Sequence, residues 1–341
     1  MSLTDSLMAA AWKHAHRLPA PLLRGGLDLA AELAVVRSGK GVRRLRCNLA
    51  KVRPDLDPSG LRRLTRSAMR SYLRYFGQAL VLSHVPVDRL EHMVRLEGDG
   101  PLREALARDE SVVMALGHLG NWDLAGAWAG QFFAPVTTVA ERLEPPEAYE
   151  DFLAFRTGLG MRILTFGDDG VFQALQRDAK AGPRIVPLLA DRDLGRSGIE
   201  VELFGRRARV AAGPALLALT TGAMLVANGI TFERLRGPRR RAAGSPWGIV
   251  VHFHPPIDVS RFTGPTRARV QAVTQAWVDD LSRTIAEHPE DWHMLQRVFV
   301  EDLDPVRDRV GTSTQDDGAK AGGGTADGAT ASGARDGGAT A

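Results

Sequence analysis

A single cysteine, Cys47, stands among 341 residues. No intrachain disulfide can form, and a zinc site built on several thiolates is excluded; such usage fits a reducing compartment. Aromatic residues are sparse at 6%, and few of them fall in the basic front of the chain. Stacking platforms for nucleic-acid bases are therefore short there. Several signatures are missing. There is no G-x-x-x-x-G-K-[ST] loop and no G-x-G-x-x-G fingerprint, so nucleotide folds lose support. There is no G-x-S-x-G elbow, which disfavours an α/β-hydrolase. H-E-x-x-H is absent, and the nine histidines are not spaced as a metal set. Met1–Arg17 lacks a basic stretch followed by an apolar run, so no secretory leader is expected. One charge-free run, residues 210–232, has the length of a membrane span. Gly213-Pro214, Thr220-Thr221-Gly222 and Asn228-Gly229 interrupt it, which predicts instead a buried helix over 214–221 and a buried strand over 224–232.

What is present is an ordinary globular composition, 44% hydrophobic and 25% charged, with an uneven distribution of charge. The net of +4 conceals a front, residues 1–90, with 16 Lys and Arg against six Asp and Glu, and an acidic end, residues 301–341, with four against eight. A basic front points to an anionic partner, a membrane surface or a nucleic acid. From Gly311 onward Gly, Ala, Ser and Thr supply 24 of 31 residues, without one large apolar side chain. Residues 311–341 are expected to be disordered, leaving a single domain over 1–310.

Apolar periodicity predicts helices over 3–37, divided by Pro19 and Pro21, and over 58–83, the latter carrying Arg62, Arg63, Arg66, Arg70 and Arg74. After residue 90 short apolar runs alternate with helical stretches. Strands are expected at 112–116, 136–139, 162–164, 185–188, 200–204, 208–210 and 248–253, and a last long helix over 266–287. The fold class that follows is α/β: a mixed central sheet flanked by helices over 90–300, behind a basic, membrane-facing helical segment over 1–85. The arginines Arg234, Arg236, Arg239, Arg240 and Arg241 read as a Gly/Pro-rich loop.

One stretch carries chemistry. Val112–Leu116 runs into Gly117, places His118 at the carboxyl end of a buried strand, and a helix capped by Asn121 follows. Asp123, in the first turn, is positioned to turn back onto the imidazole, fix its tautomer and leave the other ring nitrogen as a base. Strand ends of this kind are where open α/β sheets place ligands. A second pair with the same spacing, His92 and Glu97, lacks the glycine turn and reads as structural. Glu141 and Arg142 follow the 136–139 strand, and Arg192 and Asp193 follow the 185–188 strand, at the same edge as His118. His293 reads as packed structure.

The segment His118-Leu119-Gly120-Asn121-Trp122-Asp123 resembles the H-x4-D/E motif of the glycerolipid and lipid A acyltransferases. The likeness is strongest to the actinobacterial branch that acylates phosphatidylinositol mannosides. Thr138–Leu143, Ala190–Leu194, Arg196-Ser197-Gly198, Val201–Gly205, Ala212–Ala215 and Asp291–Gln296 continue it in the same order across about 5–305. The resemblance implies a peripheral enzyme of the cytoplasmic membrane face that moves a long acyl group, palmitoyl, from acyl-CoA to the 6-hydroxyl of a mannose. It implies no metal and no resident cofactor, acyl-CoA being a co-substrate, and partners that are lipid and membrane rather than nucleic acid. His118 is then the general base and Asp123 supports the motif. The third acidic residue of the family, a Glu before Arg-Asp-Leu, is Asp191 here. Arg156 and Ser197 match residues near the acyl-donor pocket, and Thr220 replaces a family Glu. Two other readings remain at this stage. One is the same chemistry on another glycolipid or a lysophospholipid; the other is a non-catalytic protein binding membrane or nucleic acid through its basic front.

Overall fold

Proline positions the first break. In the computed structural model, which describes residues 15–142, 146–193 and 198–303, a single turn at Ala15–Arg17 stops before Pro19. Helix α1, Ala20–Arg37, then starts with Pro21 in its first turn, where a missing N–H costs nothing. Residues 3–14 of the predicted 3–37 helical region, the tail over 311–341 and Ser197 lie outside the described residues. Helix α2, Lys40–Val52, was not expected from the sequence, although Val42, Leu45, Leu49 and Val52 repeat at helical spacing and are buried. Helix α3, Pro58–Leu82, opens on Asp57, whose carboxylate accepts the Gly60 N–H at 2.7 Å. The three helices meet around Ala31, Leu45, Leu49, Ala68 and Met69.

The alternating part follows in order: α4 Val87–Glu91, β1 Val94–Glu97, α5 Gly100–Ala107, β2 Val112–Leu116, α6 Trp122–Phe132, β3 Thr137–Ala140, α7 Pro146–Gly158 and β4 Arg162–Thr165. Next come α8 Val171–Lys180, β5 Ile185–Leu189, β6 Ile199–Leu203, β7 Arg206–Val210, α9 Gly213–Thr221, β8 Met224–Arg234, α10 Gly237–Ala243, β9 Trp247–Phe253 and α11 Thr266–Glu287. Five strands form a mixed sheet in the order β1-β9-β8-β2-β5. Strand β2 lies parallel to both β5 and β8, and β8 turns back antiparallel on β9. The β3–β4 pair is a separate two-stranded sheet, bridged to the first through Val136 and Ile185.

Period-two alternation distributes the core over the two faces of the sheet. Val113, Ala115, Val186, Leu188 and Leu225 pack with Val273, Trp277 and Leu281 of α11. Met114, Leu116, Val226, Ile230 and Val251 pack with Leu124 and Ala127 of α6. All five β2 residues are buried, as expected of a strand covered on both sides. The uncharged run over 210–232 is the buried α9 followed by β8, and among the described residues no helix is long and apolar enough to cross a membrane.

One expectation is corrected. The arginine run is not all loop: Gly237–Ala243 is helical, with Pro238 in the first turn and Gly244 left-handed (φ 62°) at its end. Gly-Pro read as a breaker; here it starts the helix, because proline at the first turn fixes φ and forfeits no hydrogen bond.

Candidate functional site

Register brings the two central residues together. Leu116 of β2 and Leu189 of the neighbouring parallel strand β5 are directly paired. His118 and Asp191 each lie two residues beyond that pair, so both leave the sheet at its carboxyl edge side by side. The imidazole Nδ1 stands 2.6 Å from Asp191 Oδ1. The other carboxylate oxygen accepts the His118 backbone N–H at 2.9 Å and the Trp292 indole N–H at 2.8 Å. Burial pushes the Asp191 carboxyl up, but the facing His118, its ring hydrogen bond, the Trp292 donor and the His118 amide together hold it below the ordinary range. An ionised carboxylate facing Nδ1 requires the proton there, which leaves the Nε2 lone pair available.

Two glycines permit this turn. A side chain at Gly117 would meet Leu119 at 2.4 Å and Asp191 Oδ2 at 3.2 Å. Gly120 has φ +55°, and a Cβ there would lie 2.5 Å from the Ile230 carbonyl. Asn121 then caps α6 through Leu124 N–H at 2.9 Å, and its amide donates to Gln78 Oε1 at 2.8 Å.

Asp123 does not turn back onto the imidazole. Its buried carboxylate accepts Tyr75 Oη–H at 2.7 Å and Arg156 Nε–H at 2.6 Å. The second position of α6 faces inward between α3 and α7, while the strand-edge position beside His118 is filled from β5. Burial lowers the Arg156 guanidinium, yet Asp123 and Tyr75 carry it above its usual value. The Tyr75 hydroxyl is raised well above the usual tyrosine range by burial and by the adjacent carboxylate. Asp123 therefore ties three helices together through an ion pair and a phenol.

Beside the pair lies an apolar cleft of about 720 Å³, its open solvent included, between α6 and the sheet face. Leu116, Leu189, Ile230 and Val251 line its floor; Trp122, Gly126 and Trp128 of α6 and Met161 form the opposite side. Asp123, Arg156, Asn228 and Thr138 are its polar members. The Trp122 ring is 5.6 Å from that of His118, so the cleft begins next to the imidazole. An apolar slot with a few polar groups at one side suits an alkyl chain carrying a polar head.

The remaining expected residues separate. Arg192 Nη2 meets Glu141 Oε2 at 2.9 Å, joining two strand ends next to Asp191. Arg142 turns away to the exposed Asp168 at 2.9 Å. Arg156 is a buried partner of Asp123 that lines the cleft. Glu97 holds His252 Nδ1 at 2.9 Å and also pairs with Arg95, whereas His92 offers its carbonyl to Arg239.

Sequence reasoning missed the supports of the His118 loop. Ser71, Tyr75 and Gln78 lie at helical spacing on one face of α3, and each reaches this region. Ser71 Oγ lies 2.5 Å from Asp291 Oδ1 and 2.9 Å from His293 Nε2. The 291–293 segment runs beside the loop, with His293 N–H on the His118 carbonyl at 2.7 Å and Gly120 N–H on the Asp291 carbonyl at 3.0 Å. Polar residues on the inner face of an amphipathic helix were the available signal. His293 is buried, its ring edge-on to that of Tyr72.

Comparison with known proteins places the chain in a family. The profile of the bacterial lipid A biosynthesis acyltransferases matches residues 1–301. A phosphatidylinositol mannoside acyltransferase of Mycolicibacterium smegmatis is 38% identical over 316 residues, covering 91% of this chain and 96% of that protein. One from Mycobacterium tuberculosis is 36% identical over 308 residues, covering 89% of this chain and 91% of its own. The crystal structure of the 1-acyl-sn-glycerophosphate acyltransferase of Thermotoga maritima aligns at 15% identity over 65% of this chain and 86% of that one, with a TM-score of 0.33, a likeness too slight to carry the fold. The non-catalytic reading falls with these matches: the chain belongs to the bacterial lipid A biosynthesis acyltransferase family and is an acyltransferase.

Proposed function

We propose that this enzyme transfers a long acyl chain, palmitoyl, from acyl-CoA to the 6-hydroxyl of a mannose on phosphatidylinositol mannoside, with His118 as general base. The observation that carries the reading is the His118–Asp191 pair beside an apolar cleft; the names of the relatives supply the acceptor class. The thioester is already activated, and the sugar hydroxyl is the poor partner. His118 Nε2 takes the hydroxyl proton as the oxygen attacks the thioester carbon and the C–O bond forms. The oxyanion meets backbone N–H groups at the start of α6. Collapse breaks the C–S bond, and the proton on Nε2 passes to the departing sulfur, which leaves as coenzyme A thiol. Asp191 stays ionised throughout and stabilises the imidazolium. A positioned base of this kind contributes about 10²–10⁴-fold. No covalent enzyme intermediate and no metal is needed.

The alkyl chain occupies the cleft, and Arg192, beside Asp191, meets phosphate on the donor. Ser197 belongs to the same donor region by its sequence match. Attachment at the cytoplasmic membrane face follows from the front of the chain. Leu22, Leu29, Leu33 and Val36 recur on one side of α1 and are 45–77% exposed, and Glu32 of the same helix pairs with Arg66 and Arg70 of α3. An apolar row beside cations suits an interface of anionic lipid. Transfer of labelled palmitoyl from its CoA ester tests the acceptor. Mannosylated phosphatidylinositol should be acylated at least about 10-fold faster than an unglycosylated lysolipid, a discrimination that a few sugar hydrogen bonds supply. Equal rates would refute the sugar-specific reading.

A further inference from the structure

The Trp292 indole lies at the hinge between the base and the rest of the fold. Its ring is fully buried, and its N–H donates to Asp191 Oδ2 at 2.8 Å. Three other indole N–H groups, those of Trp122, Trp128 and Trp277, are buried without a hydrogen-bond partner. The Trp292 N–H, by contrast, is aimed at a carboxylate. Of the three donors on Asp191 among the described residues, the other two belong to His118 itself: its ring Nδ1–H on Oδ1 and its backbone N–H on Oδ2. Among the described residues Trp292 is therefore the donor on Asp191 that comes from outside the His118 loop, and it fixes the carboxylate plane independently of the residue which that plane orients. Trp292 is itself delivered firmly. Leu119 and Trp292 form an antiparallel bridge, and the residues on either side of the indole bond the backbone of His118 and Gly120. Ser71 and the Phe232 N–H, at 2.5 and 2.8 Å, hold the Asp291 carboxylate from behind.

We propose that Trp292 is a positioning residue for acyl transfer: its indole N–H holds Asp191 in the orientation that keeps the proton on His118 Nδ1 and the lone pair of Nε2 on the acceptor hydroxyl. This rests on the reading of His118 as the base. Removing the donor leaves Asp191, among the described residues, held by His118 alone. The charge on the carboxylate is then less dispersed, and it grips a protonated imidazole more tightly. Two consequences follow that loss of packing does not produce. The rate of the chemical step falls while donor binding does not, and the acidic limb of the pH–rate profile moves to higher pH.

The test compares the full-length enzyme with Trp292→Phe and with a variant carrying 3-benzothienylalanine at 292, which keeps the bicyclic shape and puts sulfur where the N–H stood. Both should lower kcat by about 10-fold, the loss of one hydrogen bond to a charged group. KM for palmitoyl-CoA should stay within about two-fold, and the acidic limb should rise by about half a pH unit. Should Trp292→Phe fail to fold, the benzothienyl variant decides. Parental kcat with an unmoved limb in the isosteric variant overturns the proposal, as does an equal fall in kcat at every pH. His118→Ala, run in parallel, separates the two readings. If it remains active, the base assignment has failed; if it is inactive while the isosteric variant behaves as the parent, only the role of Trp292 has failed.

Discussion

Among the described residues Asp191 accepts three N–H groups from a position that is 2% exposed, and its geometry decides which nitrogen of His118 can act. Aspartate where the family resemblance implies glutamate is one methylene shorter, yet the carboxylate reaches Nδ1 at 2.6 Å because it leaves the adjacent strand at the same level. An amide at this position turns an N–H toward Nδ1, reverses the tautomer and places a hydrogen on Nε2 where the lone pair is needed. Asp191→Asn should therefore lower kcat by about 10²–10⁴-fold with the fold intact. Initial rates at saturating palmitoyl-CoA measure this; undiminished turnover would assign the orienting role elsewhere. His118 was legible locally, from a buried strand, a glycine and a capped helix. Its carboxylate partner was not: spacing alone favoured Asp123, and the register that seats Asp191 depends on which strands pair, a fact no local window contains.

Helix α3 does more than present arginines. Its inner face, through Ser71, Tyr75 and Gln78, holds the 291–293 segment, Asp123 and Asn121 in place. Two buried groups in this assembly titrate in opposite senses. Burial raises the Asp291 carboxyl to about 6 from the ordinary 3.8, against its bonds to Ser71 and Phe232. Burial lowers the His293 imidazole to about 3 from 6.5, helped by the charges of His118 and Arg74. Asp291 contributes stability that is complete below about pH 4 and lost as the pH rises through about 6. His293 contributes stability that is complete above about pH 6.5 and lost as the pH falls toward 3. The two oppose each other between about pH 4 and 6. Denaturant unfolding across that window should show Asp291→Asn gaining stability relative to the parent as pH rises, and His293→Gln losing it. Curves parallel to that of the parent would contradict these assignments. The elements were largely readable: the strands around His118, α9 with β8, and α11 all follow from their apolar patterns. Helices α2 and α10, with the short α4 and α5, were not read. The first has a clear 3.6-residue period among many cations, and the second starts on Gly-Pro, a signal that breaks a chain in one context and begins a helix in another.

At the scale of the molecule, a basic helical front and an α/β catalytic part meet at one site. The composition showed the charge asymmetry, and the sequence pattern showed the sheet and its carboxyl edge. The cleft was not legible, since it is made by residues of β1, β2, β5, β8, β9 and α6 whose approach follows from tertiary packing. Attachment through exposed arginines should be screened by salt. Sedimentation with anionic vesicles should fall at least about five-fold between 0.05 and 0.5 M salt, the Debye length shrinking about three-fold over that range, and more steeply still when Leu22, Leu29 and Leu33 are replaced by Ser. Binding indifferent to both changes would contradict an electrostatic and apolar anchor. The claim on which everything else depends is that His118 removes the proton from the acceptor hydroxyl. Single-turnover transfer from palmitoyl-CoA to mannosylated phosphatidylinositol by His118→Ala tests it most directly, with circular dichroism and donor binding as controls. The account predicts a rate at least about 10²-fold below that of the parent, with an unchanged spectrum and unchanged donor affinity; transfer at the parental rate would contradict it.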